Sequence, residues 1–262
     1  PPPPPPPVQP KAGPDEVWRQ LLASSAETAD LQAFSLTASL NYSSPKHKAR
    51  LVLRFWGNLD LPLRLDLQSG IGTTHALWRE GPAGFMAYIP EQQTAYTHWD
   101  SRLGMAAFGI HIPFTLRELA LLLNGRMGEL APEHFETVAP VKDQGFRYAF
   151  IRDGRRYSLT LDDQAKPLAM VTPEPLPWTL SFSGQVADAR GWVPERIRME
   201  RSEEEKAIVF VKRIEQRTER WPDHNLDLEL PPETQLRVME NSCLDLPTPD
   251  IPASPRFQTP LA

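Results

Sequence analysis

The 262 residues carry 28 Lys and Arg against 33 Asp and Glu, a net charge of −5 with the histidines neutral. No basic stripe offers itself to a nucleic acid, and no run of eighteen or more apolar residues reads as a membrane-spanning helix. A single cysteine, Cys243, excludes an internal disulfide and a thiolate metal cluster.

The 29 prolines gather at the two ends. Residues 1–13 open on seven consecutive prolines, which favour an extended, semi-rigid linker. Residues 241–262 are proline-punctuated without periodicity and read as a tail. Between them, 14–240 form one domain long enough to bury a sizeable core. A chain that opens on proline rather than methionine reads as processed or truncated, with any export signal already removed.

Pro14 suits a first helical turn, and Asp15 and Glu16 suit its positive end. Val17, Trp18, Leu21 and Leu22 recur at helical spacing, predicting an amphipathic helix to about Ala29 that packs on the outside or one end of a sheet. The sheet begins at once. Phe34, Leu36, Ala38, Leu40 and Tyr42 share one parity; Leu51, Leu53 and Phe55 alternate with Arg50, Val52 and Arg54. Leu61, Leu63, Leu65 and Leu67 alternate with Pro62, Arg64, Asp66 and Gln68. Side chains point to opposite faces with period two, so 34–68 is a meander with one apolar and one wet face. After Gly70-Ile71-Gly72, further strands are expected at 74–80, 84–90 and 93–99.

The period then changes. Thr115 and Glu118 have capping-box spacing, Leu116, Leu119, Ala120, Leu122 and Leu123 form one broad face, and Asn124-Gly125 offers a left-handed stop. Alternation returns at Phe146, Tyr148 and Phe150, with Asp153-Gly154 as a two-residue hairpin signal and Tyr157, Leu159 and Leu161 on the return strand. More strands are expected near 167–172, 178–186, 194–201, 206–215 and 226–230. The apolar run 207–211 suggests a strand covered on both faces. The expected fold is α+β and mainly antiparallel β. One sheet of about ten to twelve strands is too wide to stay flat, so it should curl strongly or close.

No catalytic motif and no phosphate loop is present. The six histidines are scattered without an i, i+4 pair. No enzyme activity and no cofactor or metal is therefore expected. The apolar surplus says more: a curved sheet with an apolar concave face needs a filling, either its own side chains with the 102–125 segment or, where that filling is incomplete, a lipid chain.

Trp18-Arg-Gln, PLRLDLQSGIG at 62–72, IPFTLRELALLLNGRM at 112–127 and LDLELPPETQLRVME at 226–240 together resemble the bacterial LolB/LolA family, the outer-membrane lipoprotein receptor and the periplasmic lipoprotein carrier. Over roughly 15–240 the matching texts are Leu67-Gln-Ser-Gly70, Ile112-Pro-Phe-Thr-Leu116 with Gly125, and Leu230-Pro231. The tail and a longer second half depart from the receptor, so the relation extends to other lipoproteins of the fold, some of them carriers and some envelope sensors.

The resemblance implies an open half-barrel with a helical lid, holding the acyl chains of a lipid or lipoprotein. It implies a monomer at the periplasmic face of the outer membrane. A lipidated N-terminal cysteine absent from this chain would be the anchor, with the polyproline stretch as spacer. The expected lipid-contacting wall is Phe34, Leu36, Leu40, Leu51, Leu53, Phe55, Leu63, Leu65 and Leu67. Phe146, Tyr148, Phe150, Leu180 and Phe182 stand opposite, and Leu116, Leu119 and Leu123 form the lid. The receptor's membrane-contacting leucine has candidates in Leu59 and Leu61, although both keep the parity of core leucines. Two other readings stay open: an envelope sensor or interaction protein of the same fold without lipid cargo, and an enzyme whose site assembles only in space.

Overall fold

The computed structural model describes residues 12–26, 30–45, 48–106, 114–142, 145–173, 177–188 and 191–239. The polyproline stretch and the 241–262 tail lie outside them. Helix α1 (Pro14–Ala26) leads into strands β1 (Ala33–Ser43), β2 (Lys48–Asn58), β3 (Leu63–Ser69), β4 (Thr74–Gly81), β5 (Gly84–Ile89) and β6 (Thr94–His98). Two short helices follow, α2 (Ser101–Ala106) and α3 (Leu116–Leu123). The second half contains β7 (Thr137–Val141), β8 (Gly145–Arg152), β9 (Arg155–Leu161), β10 (Pro167–Val171), β11 (Thr179–Ser183), β12 (Val186–Asp188), β13 (Gly191–Val193), β14 (Arg196–Glu200) and β15 (Lys206–Arg217). A last strand, β16 (Gln235–Val238), ends the described chain.

Fourteen strands form one sheet in the order β16-β6-β5-β4-β3-β2-β1-β15-β14-β11-β10-β9-β8-β7, and β12 and β13 make a separate hairpin. The pairing of β15 with β1 joins two meanders, and all neighbours are antiparallel except β16 with β6. The two ends, β16 and β7, do not meet, so the sheet stays unclosed. Leu36, Leu53 and Trp78 from the first meander share one buried cluster with Tyr148, Leu159, Leu180 and Ile197 from the second. Side chains on one face of two distant halves meet only when a twisted sheet curls onto itself. The result is a half-barrel whose concave face is the core.

The predicted alternation holds along the first meander. Leu51, Leu53 and Phe55 are buried, whereas Arg50, Val52 and Arg54 are not. The Asp153-Gly154 turn joins β8 to β9 with both residues at positive φ, 51° and 70°, as a tight hairpin requires. Three expectations are corrected. The edge strand β7 was not foreseen, and its Pro140 is tolerated because a missing N–H costs little at an edge. In the 207–211 run only one face is fully covered: Phe210 stands 36 % exposed on the outer face, with Arg196 over its ring. Residues 226–230 are not a strand, and the last strand begins at Gln235.

Residues 218–231 instead cross the outer face of β2–β4 as a strap. Its carbonyls are taken by side chains rather than by a neighbouring strand. Trp56 Nε1 donates to Asn225 O (3.4 Å), Arg64 to Asp227 O (2.7 Å) and Arg79 to Leu226 O (3.2 Å). Leu226 is fully buried beneath. At the start of the strap, Asn58 is itself fully buried and pairs with both backbone groups of Trp221. Its amide donates to Trp221 O (3.1 Å), and its carbonyl accepts from Trp221 N (2.8 Å). The Asn58→Ala variant strands a backbone donor and acceptor. It should cost roughly 2–4 kcal/mol in urea unfolding and open a protease site within the strap, whereas exposed Arg50→Ala should do neither.

Candidate functional site

One row of the mainly apolar concave face gathers three polar residues. In register across the sheet, Gln216, Phe34, Gly57, Leu63, Glu80, Phe85 and His98 lie side by side on β15, β1, β2, β3, β4, β5 and β6. The three polar members, Gln216, Glu80 and His98, are each engaged by the helices or their entry. The Glu80 carboxylate accepts from the Arg117 backbone N–H (2.9 Å) and is also hydrogen-bonded by the Ser101 hydroxyl and the Leu116 N–H. Gln216 donates to the Asn124 side-chain carbonyl (2.6 Å) just beyond α3. His98 meets the backbone of Asp100, whose carboxylate caps α2 through the N–H groups of Arg102 and Leu103.

Helix α3 is thus pinned at both ends by polar residues of a single row. The arc from β4 to β15 covers four strand spacings of about 4.8 Å, and curvature shortens it to a chord that a helix of about 12 Å plus two side chains can bridge. The capping box is present: Thr115 Oγ1 accepts from Glu118 N (3.1 Å), and the Glu118 carboxylate accepts from Thr115 N (2.8 Å). That same carboxylate, 4 % exposed, receives Arg102 of α2 (2.9 Å) and Arg152 at the end of β8 (3.2 Å). Arg117 reaches back to Leu59 O (3.0 Å). Helix α2 lies flat on β5 and β6 because Gly104 has no side chain; a Cβ there would come within 2.5 Å of the Phe85 ring.

Burial pushes the Glu80 carboxyl above the ordinary range, and the nearby Glu118 charge adds to this while the three hydrogen bonds oppose it. Burial and Glu118 likewise raise the Tyr157 phenol. Among the described residues, no group of three His, Cys, Asp or Glu could hold a metal ion.

Above α3, between the walls, a void of about 30 Å³ is lined by Leu40, Leu53, Leu65, Leu67, Trp78, Met105, Leu119, Leu123, Met199 and Val209. Six of these were foreseen as lipid contacts; Trp78, Met105, Met199 and Val209 were not. The remaining predicted residues lie elsewhere in the core. Phe34, Phe55, Leu36, Leu51, Leu63, Leu116, Leu180 and Phe182 are buried, and Phe146 is half-buried. Tyr148 and Phe150 pack on Trp18 of α1, with ring centroids 4.9 and 5.6 Å away. So α1 fills the second wall where open space was expected.

The two ends of the cup differ. At the helix end Phe34 and Leu63 are 0 % exposed, whereas Leu40 and Leu51 toward the other end rise to 6 and 7 %. At that far rim Tyr42 and Ala49 are only half-buried. Burial, then the adjacent Glu205 carboxylate that Tyr42 bonds at 3.1 Å, pushes the Tyr42 phenol up. Beyond the rim projects the β3–β4 turn, closed by Gly72 N to Ser69 O (3.0 Å) and Ser69 N to Thr73 O (2.8 Å), with Gly72 at φ 91°. Its tip, Ile71, is 84 % exposed. Leu59 is buried and Leu61 half-buried, in a turn tied down by Arg117 and Arg220. Neither leucine protrudes, so the projecting apolar tip is Ile71. The signal in the sequence is an isoleucine between two turn glycines, Gly70 and Gly72. The polar row had a signal too: Glu80 and Gln216 each break an apolar parity near a strand end.

No family model and no curated protein matches the sequence. Solved structures do. A LolA superfamily protein from Nitrosomonas europaea aligns with TM-score 0.58 and 10 % identity over 80 % of this chain and 97 % of that one. A domain named for outer-membrane lipoprotein sorting from Vibrio parahaemolyticus gives 0.55 and 10 % over 80 and 95 %. A DUF1329 family protein from Desulfovibrio piger gives 0.54 and 11 % over 78 and 94 %. At such identity the likeness is one of architecture. The unclosed, curled antiparallel sheet with short helices seated at one end of its concave face gives this chain the fold of the LolA superfamily.

Proposed function

We propose that the protein is a non-enzymatic binder of acyl chains, taking the hydrocarbon of a lipid or lipoprotein into the seam between its two walls above α3. The observation that carries this reading is the asymmetry of the cup. The polar fastenings of α3 sit at the helix end, whereas the seam is lined by leucine, methionine, valine and Trp78 and the far rim carries the Tyr42–Glu205 pair. The likeness to a domain named for lipoprotein sorting supports the same reading and, with it, a bacterial envelope as the protein's location.

The enclosed void of about 30 Å³ is far below the roughly 300 Å³ of a small-ligand site. An alkyl chain therefore enters by parting packed side chains. Seating a dozen methylenes gains about 0.8 kcal/mol each, from which the cost of moving Leu119, Leu123 and Met105 is subtracted. The closed form is the resting state, and apparent affinity is set by the fraction that opens. Ile71, at the open end, is the side chain placed to enter a bilayer when cargo is exchanged.

A fluorescent fatty acid should be taken up saturably by the full chain. Leu67→Trp, which fills the void, should weaken uptake at least tenfold while retaining a cooperative thermal transition. No uptake by the unaltered chain would end the proposal. Ile71→Ser should leave the melting temperature unchanged and reduce co-sedimentation with anionic phospholipid vesicles about tenfold, the worth of one buried isoleucine.

Glu80 sets a pH dependence. Its folded pKa lies above its unfolded one, so its favourable contribution is complete below the ordinary carboxylate range and is lost as pH rises through the folded value. Glu80→Gln keeps the acceptor for the Arg117 N–H and removes the charge. It should be more stable than the parent at neutral pH, and that difference should shrink as denaturation is repeated at progressively more acid pH.

A further inference from the structure

The outer face carries a second concavity, separate from the cup. A space of about 300 Å³ opens where the strap leaves β15. Its floor is Ser35 and Thr37 of β1, its sides are Trp56 of β2 and Trp221 of the strap, and its rim is Arg54 and Arg213. Those two arginines are in register on either side of Thr37, Arg213 on β15 and Arg54 on β2.

Both indoles are held from within. Trp56 Nε1 donates to Asn225 O (3.4 Å) and Trp221 Nε1 to Phe34 O (3.1 Å). The Arg64 guanidinium lies 5.0 Å from the Trp56 ring and that of Arg217 4.0 Å from the Trp221 ring. What the rings still offer is flat apolar surface in fixed positions. Arg213 is paired with Glu215, whose carboxylate also receives the Ser35 hydroxyl at 3.5 Å. Arg54 makes no hydrogen bond and no close ion pair among the described residues, although its charge acts on the Asp66 carboxyl. The carboxylate opposite it on β3, Asp66, is taken by Arg64 at 3.0 Å. A guanidinium with unused donors therefore stands beside two clamped indoles and a hydroxyl-bearing floor, on a chain whose net charge is −5.

We propose that this niche binds an acidic sugar, a pyranose ring bearing a carboxylate or a phosphate. The anion takes the forked donors of Arg54, the ring's C–H face lies on indole, and its hydroxyls meet Thr37 and Ser35. A purely apolar ligand leaves the donors of Arg54 unused, and a bare anion leaves the indole faces unused. The space matches the lower end of small-ligand sites, about 300 Å³. None of this depends on the acyl-chain reading, since every residue involved faces away from the cup.

The test titrates the full chain with glucuronate, glucose 6-phosphate, glucose and inorganic phosphate while the indole N–H signals of Trp56 and Trp221 are followed by NMR. At least one acidic sugar should shift both signals saturably, with glucose and phosphate each at least tenfold weaker. Preference for glucuronate assigns a carboxylate, and preference for glucose 6-phosphate assigns a phosphate. Arg54→Gln, on an exposed side chain, should weaken the acidic sugar at least tenfold at unchanged melting temperature. Absence of any shift overturns the proposal. So does phosphate or glucose binding as tightly as the acidic sugars, or unchanged binding by Arg54→Gln.

Discussion

An apolar face that runs the whole width of an unclosed sheet has to be covered, and nearly every other feature follows from how this chain covers it. Curling brings the two meanders into one cluster, but it leaves the end of the cup open. Helix α3 seals that end, and a helix laid across strands brings a difficulty of its own. Its first N–H and last C=O groups need partners, and the surface beneath is leucine and phenylalanine. Glu80 takes N–H groups where the helix begins, and where it ends the Asn124 amide donates to Ala120 O while Gln216 holds the Asn124 side chain in place. The dependence is mutual. A carboxylate on a concave face costs free energy unless it is hydrogen-bonded, and Glu80 obtains its donors only because α3 and α2 start there.

The second carboxylate of the system, Glu118, is of another kind. It closes the capping box of α3 and gathers Arg102 and Arg152 from two other elements. Removing one member of such a buried group leaves uncompensated charge, so the group holds its geometry more firmly than it adds net stability. Together with Gly104 beneath α2, it confines both helices to one end. Movement that opens the seam can leave these fastenings in place, because the seam and the rim near Ile71 involve none of them.

The strap works on the opposite face. Arginine and tryptophan side chains on alternate positions of β2, β3 and β4, the positions that face away from the core, take its backbone carbonyls. One set of strands therefore presents two faces with separate chemistry: hydrocarbon inside, guanidinium and indole outside. The shared fold accounts for the first surface in outline. The second belongs to this chain's own residues, in keeping with the rule that function resides in sites carried on a scaffold.

The order of amino acids alone determined whatever depends on a short period or a local turn. The one-sided meander of 34–68, the Asp153-Gly154 hairpin and the Thr115–Glu118 capping box were legible because each is built of short-range patterns, and the need for a strongly curved sheet followed from the number of such strands. The leucines now lining the seam were legible for the same reason. Tertiary structure decided the rest. That Gln216, Glu80 and His98 share a row depends on the register of seven strands drawn from both meanders. That 226–230 forms a strap depends on Arg64 and Arg79 reaching its carbonyls from some 150 residues earlier in the chain. The same distinction separates Leu59 from Ile71. Both are aliphatic residues in turns between strands; Leu59 packs into the core, in a turn whose carbonyls Arg117 and Arg220 hold, while Ile71 is left standing in water. Parity tells which face a side chain takes, but what lies against that face is contributed by distant parts of the chain.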